Sequence, residues 1–260
     1  MKADVRFSNL GWRHEFWQYI RLYNSVITGQ SQREELASSG VFGNHSMASD
    51  MVERFRTYLA YREKALAKII ALLRTEDQAN RFCNKQGIAV GVTATKSTDH
   101  HQSTKPMVAT VSRIAEKVAA DCKLTVNSNP QKSCVWTDYD RLSVTARNLD
   151  GAIPGLENPC IIWEIKEYWG KTRGGSKMSD AVYECMLVGM ELRLLEEESD
   201  ERIGHVCLID GRDQWECRPS DLRRLIDILN QGFLDALIVG KEVETKWEAF
   251  LRSWIDKAST

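Results

Sequence analysis

Asp150, Glu164 and Lys166 are the residues of this chain whose types and spacing point most directly to chemistry. Glu164 and Lys166 lie two apart in the run CIIWEIKEYW, residues 160–169. Successive side chains of an extended strand alternate between its faces, so Glu164 and Lys166 share a face with Ile162 and Tyr168, while Ile161, Trp163 and Ile165 point the opposite way, into a core. An acid and an amine are thus set side by side in an otherwise apolar strand. Burying charge is costly unless it is paired or bound to a metal. Asp150 falls where the run RLSVTARNLDGAIP, read as a strand, ends at Asp150-Gly151. If the two segments pair through residues 151–159, its carboxylate approaches Glu164. Two carboxylates and the backbone carbonyl of Ile165 make a hard oxygen site suited to magnesium, with manganese as a substitute. Such an ion neutralises charge on a phosphodiester and acidifies a bound water. Lys166 is placed to hold or activate that water. The bland alternative is a buried salt bridge involving Glu164 and Lys166.

An acid at a strand end, about a dozen residues, then Glu164-Ile165-Lys166 resembles the PD-(D/E)XK nuclease signature. Leu149 stands where the family has its proline. The resemblance covers about residues 140–240 and implies a four-stranded mixed sheet with flanking helices. It further implies magnesium-dependent hydrolysis of double-stranded DNA, most like a type II restriction endonuclease acting as a homodimer. A repair or phage-defence nuclease of the same fold is an alternative, as is a fold retained only to bind DNA or protein. E-x-K by itself arises about once by chance in a chain of this size. A second instance, Glu244-Thr245-Lys246 after Asp235, reads instead as the exposed opening of a helix.

Several neighbours extend the pattern. Lys171, Arg173 and Lys177 surround two glycines in GKTRGGSK, a composition that lets backbone and cations approach phosphate; a solvated connecting loop is the plainer reading. Glu184, near the start of the next helix, is a candidate for the metal's surroundings or for a surface ion pair. Glu167 lies on the strand face opposite Glu164. Asp138 and Asp140 are more distant alternatives to Asp150. The isolated histidines His14, His45 and His205, and the loop pair His100-His101, suggest no ligand set.

These residues need a scaffold. The second half reads β-β-α-β-α-β-α: the two strands above, a helix over 179–197, HVCLID, a helix opened by Pro219, DALIVG, and a closing helix KWEAFLRSWI. The expected fold class is mixed α/β (α+β), a restriction-endonuclease-like core with a central mixed sheet flanked by helices, plus a mainly helical N-terminal half. The expected division is residues 1–130, for dimerisation or DNA recognition, and 131–260, the nuclease core. In the first half Asp50 is a plausible N-cap for a long helix bearing Val52, Phe55, Leu59, Leu66, Ile69 and Leu73 on one face, with Arg62 at a core-side position. That helix packs within its own domain or forms a dimer.

The net charge of -1 neither announces nor excludes a polyanionic partner. Seven cysteines without a CxxC pair read as reduced thiols in a cytoplasmic protein rather than as a disulfide scaffold or structural zinc site, and the restriction-enzyme resemblance implies that the cytoplasm is prokaryotic. The N-terminus carries no signal-peptide pattern, and no apolar run approaches the ~20 residues of a bilayer span, so no membrane association is expected. No Walker A or G-x-S-x-G motif occurs.

Overall fold

The computed structural model describes residues 1–92, 104–138, 141–170, 176–199 and 201–258, with the side chain of Asp138 left aside. The principal helices are α1 (Ser49–Leu72), α2 (Glu76–Lys85), α3 (Pro106–Asp121), α4 (Ser176–Ser199), α5 (Pro219–Gln231) and α6 (Trp247–Ala258). The central sheet contains β1 (Asn127–Lys132), β2 (Leu149–Ile153), β3 (Ile161–Glu167), β4 (Gly204–Asp210) and β5 (Ala236–Val239), and their spatial order follows the chain. The β1–β2 and β2–β3 pairs are antiparallel, whereas β3–β4 and β4–β5 are parallel. Parallel neighbours need a long crossover, and α4 and α5 supply the two.

Helices cover both faces. On one, Met107, Val111 and Val118 of α3 and Trp247, Leu251 and Ile255 of α6 pack on Ile161, Trp163, Val206 and Leu208. On the other, the second half of α1 joins α4 and α5 over Cys207, Ile209, Leu237 and Val239. Coverage on both sides is why all seven residues of β4 are buried. The fold is therefore mixed α/β, a five-stranded mixed sheet flanked by helices with a mainly helical N-terminal half.

The first half of α1 meets a different partner. Val52, Phe55 and Tyr58 enclose an aromatic cluster with Phe7, Phe16 and Trp17, several of whose rings meet edge to face. The N-terminal half is tied into the sheet: Leu237 N–H donates to the Met1 carbonyl at 2.9 Å, and the Met1 ammonium pairs with Glu242 at 3.1 Å. The division expected near residue 130 falls inside β1.

Four local expectations change. The segment expected as one strand over 141–154 is two: Arg141–Val144 pairs with Val135–Asp138 in a separate antiparallel hairpin, and only Leu149–Ile153 joins the sheet. Asp150 therefore stands within β2 rather than at its end. The turn-rich segment around Pro130 forms β1, where proline is tolerated because the strand lies at the edge and its register shifts between Ser128 and Lys132. Ala48, not Asp50, occupies the N-cap of α1; Asp50 lies in the first turn, where its charge complements the helix dipole.

Candidate active site

The register of β2 and β3 brings the predicted acids together. Gly151 pairs with Trp163, so one step further along the antiparallel strands Asp150 comes opposite Glu164. Gly151 permits this approach: a Cβ at that position would fall inside the Trp163 indole. Where the ladder opens, the Asp150 side chain takes the place of a main-chain acceptor, its Oδ2 receiving the Ile165 N–H at 2.7 Å. Its Oδ1 accepts from Gln131 Nε2, also at 2.7 Å. Gln131 lies in the irregular stretch of β1 and has φ of 51°, the left-handed region; bulges of this kind re-aim side chains. The Ile165 carbonyl points to the same side of β3 as its N–H, because both groups of one strand residue face one neighbour.

Glu164 is 1% exposed. Its Oε2 lies 2.8 Å from Lys166 Nζ, and its Oε1 lies 3.2 Å from His205 Nε2. His205 is on β4 opposite Ile162, so it shares the Glu164 face, and its Nδ1 meets the Phe233 carbonyl at 2.8 Å. Lys166 Nζ makes a second ion pair with Glu184 of α4, again at 2.8 Å. Arg147, from the turn before β2, closes on the other oxygen of Glu184.

These contacts fix the charges. Burial pushes the Glu164 carboxyl up, but the His205 hydrogen bond and the Lys166 ammonium outweigh it and hold the group at about 2. Burial likewise pulls Lys166 down, and the adjacent Glu164 carboxylate reverses this, leaving its pKa well above the ordinary lysine value. Lys166 therefore keeps its proton near neutral pH. In this network it is a cationic hydrogen-bond donor to Glu164 and Glu184. Asp150 is shifted upward by burial and by the Glu164 charge, against the pull of the Ile165 N–H, Lys166 and Gln131.

Asp150, Glu164, Ile165, Lys166 and Glu184 thus form one neighbourhood, with Glu184 held by two cations. Lys177 is exposed in the first turn of α4, with its carbonyl 3.4 Å from the Tyr168 hydroxyl. Lys171, Arg173, Asp140, His100 and His101 lie outside the described residues. Asp138 belongs to the hairpin and not to the central sheet. Glu167 turns away from the pair, as expected, and its carboxylate takes the N–H groups of Met107 and Val108 at the start of α3.

The residues of the second E-x-K have separate partners: Glu244 pairs with Arg74, Lys246 with Glu242, and Asp235 with Arg202. The expected exposed helix opening is partly closed, since Glu242 beside it is 2% exposed and takes both the Met1 ammonium and Lys246.

Sequence reasoning missed His205, Gln131 and Arg147. A histidine inside the otherwise apolar HVCLID was the available signal for His205. The other two depend on a bulge and a turn without a sequence signature.

Among the described residues no cluster of three or more His, Cys, Asp or Glu side chains could hold a metal. The oxygen donors on hand are the Asp150 and Glu164 carboxylates and the Ile165 carbonyl. This set fits magnesium, which binds through one or two carboxylates and keeps several waters, better than a metal needing a complete protein cage. No described helix is long and apolar enough to cross a membrane, and all seven cysteines are free thiols.

Residues 71–254 match the model of a family described as a domain of unknown function (DUF7687). No curated protein matches the chain. No solved structure matches it.

Proposed function

The chain belongs to the DUF7687 family, a domain of unknown function, and we propose from its own residues that it is a magnesium-dependent endonuclease of double-stranded DNA. One observation carries the reading: Asp150 on β2 comes opposite Glu164 on β3, with Lys166 on the same face of that strand. This is the order and arrangement of acids and amine expected of a PD-(D/E)XK nuclease. Asp150, Glu164 and the Ile165 carbonyl are the proposed magnesium ligands, and manganese substitutes. A divalent ion there supplies positive charge at the scissile phosphate and a more acidic water.

The chain's residues do the rest. Glu164 stays ionised, held by His205 and Lys166. Lys166 presents a proton on Nζ toward a non-bridging phosphate oxygen or the attacking water. Glu184 and Glu164 orient that ammonium from two sides. Cleavage leaves 5′-phosphate ends. Two copies related by a dyad would cut both strands of a symmetric sequence, the behaviour of a type II restriction enzyme in a prokaryotic cytoplasm. Lys171, Arg173 and Lys177 are proposed contacts to the DNA backbone.

The test is incubation of the purified chain with long unmethylated duplex DNA, with and without magnesium, followed by sequencing of the ends. Magnesium-dependent cutting is expected, lost in Asp150→Ala, Glu164→Ala and Lys166→Ala proteins that retain fold and DNA binding. Discrete fragments support a restriction enzyme, and a smear supports a repair or phage-defence nuclease. Replacing Lys171 and Arg173 is expected to weaken binding and flatten its salt dependence. Full activity in either acid variant rejects the assignment.

One observation favours a second reading, a non-catalytic DNA- or protein-binding module. Lys166 already has two carboxylate partners, and both ring nitrogens of His205 are engaged, so the network is closed without a ligand. DNA binding with no cutting under any divalent ion would select it.

A further inference from the structure

We propose that a second site, away from the paired carboxylates, binds a phosphate group: a pocket of about 360 Å³ between α1, the start of α5 and the π-helical turn Leu22–Val26. Its floor is Arg62, 3% exposed, whose NH1 reaches Asn24 Oδ1 at 3.0 Å and Asp227 Oδ2 at 3.2 Å. The Arg62 Nε–H has no hydrogen-bond partner, and Glu63 Oε1 stands 4.0 Å from it. A buried donor without an acceptor is destabilising. Arg62 lines the pocket, so an anion there would lie against its guanidinium.

The wall is Tyr23, with the guanidinium carbons of Arg33 and Arg62 at 5.5 and 5.9 Å from its ring centre. Arg33 forms the rim. Its Nε is held by the Ile27 carbonyl at 3.0 Å, and no carboxylate pairs with it among the described residues. Across the opening Arg224 makes only long contacts, 3.4 Å each to the Tyr183 hydroxyl and to Asp221. Ser220, second residue of α5, lies at the same edge.

The charges do not balance. Asp227 answers Arg62, and Glu63 holds Arg223 through two 2.8 Å bonds. Asp221 is shared between Arg224 and Arg218, the latter at 2.7 Å. Arg33 and one of that last pair remain, an excess of two positive charges gathered around a concavity. Forked guanidinium donors facing one space match the oxygens of a phosphate. The π-helical turn sets Asn24 against both Arg62 and Asp227, and such turns are frequent at functional sites.

The pocket reaches α4 through the Arg224 contact to the Tyr183 hydroxyl, and the backbone phosphate of a duplex is one source of the group it would hold. A free phosphate ester has the same chemistry. The proposal stands whether or not the chain cuts DNA.

The test follows thermal unfolding and binding heat of the full chain in EDTA. Inorganic phosphate, a nucleoside 5′-monophosphate and a short DNA duplex are each compared with chloride at equal ionic strength. Phosphate is expected to raise the melting temperature beyond the chloride control. Arg33→Ala and, separately, Arg224→Ala should weaken its binding by about tenfold. Duplex affinity that falls in Arg33→Ala identifies the backbone as the source. Monophosphate binding that duplex does not displace identifies a free ester. A phosphate response equal to chloride, or one that both arginine variants retain in full, overturns the site. Phosphate binding by a wild-type chain that cuts no DNA defeats the nuclease reading alone.

Discussion

His205 Nε2 lies 3.2 Å from Glu164 Oε1 on the neighbouring parallel strand, inside an interior where both side chains are essentially without solvent. Alanine at 205 would remove a donor from a buried carboxylate and open a cavity beside β3. We expect His205→Ala to lower unfolding stability by about 2–4 kcal/mol. Urea denaturation checks this. A loss under about 0.5 kcal/mol would mean that the contact carries little.

Asp150 has two separable duties, accepting the Ile165 N–H and carrying charge. Asparagine keeps an acceptor, so Asp150→Asn should unfold within about 0.5 kcal/mol of the parent, whereas Asp150→Ala strands the N–H and should cost about 1–2 kcal/mol. Under the proposed function both lose DNA cleavage. Equal stability of the two variants would show that the hydrogen bond is dispensable.

Gly151 lies under Trp163, across the ladder that places Asp150. Backbone and a tryptophan packed against Trp247 cannot both move cheaply. Gly151→Ala is expected to cost about 3 kcal/mol by thermal unfolding and to reduce any cleavage activity with it. An unshifted melting temperature would contradict that packing.

Glu167 supplies the pH prediction. Burial raises its carboxyl to about 7, against the N–H groups of Met107, Trp169 and Val108. The folded chain holds this proton more tightly than the unfolded chain, so the contribution to stability is complete below about 4.5 and is lost as pH rises through about 7. Relative to Glu167→Gln, which has no proton to release, the parent should lose up to about 3 kcal/mol between about pH 5 and pH 8. Denaturation midpoints measured across that range test it, and a constant difference between the two proteins would refute the shift.

Period-two alternation in CIIWEIKEYW placed Glu164 and Lys166 on one face and Trp163 on the other, because strand geometry alone dictates it. The later helices and strands, including the proline-opened α5, were legible for the same local reason. Arg62 at a core-side helical position was visible, but its partner Asp227 was not, because 165 residues separate them.

Tertiary structure decided the remainder. Register with β2 determined that Asp150 meets Glu164. An edge-strand bulge aimed Gln131, and the parallel β4 delivered His205. Local patterning records which way a side chain points along its own element. What it touches depends on contacts between distant segments, whose energies enter only once the sheet has closed and its helices have excluded water.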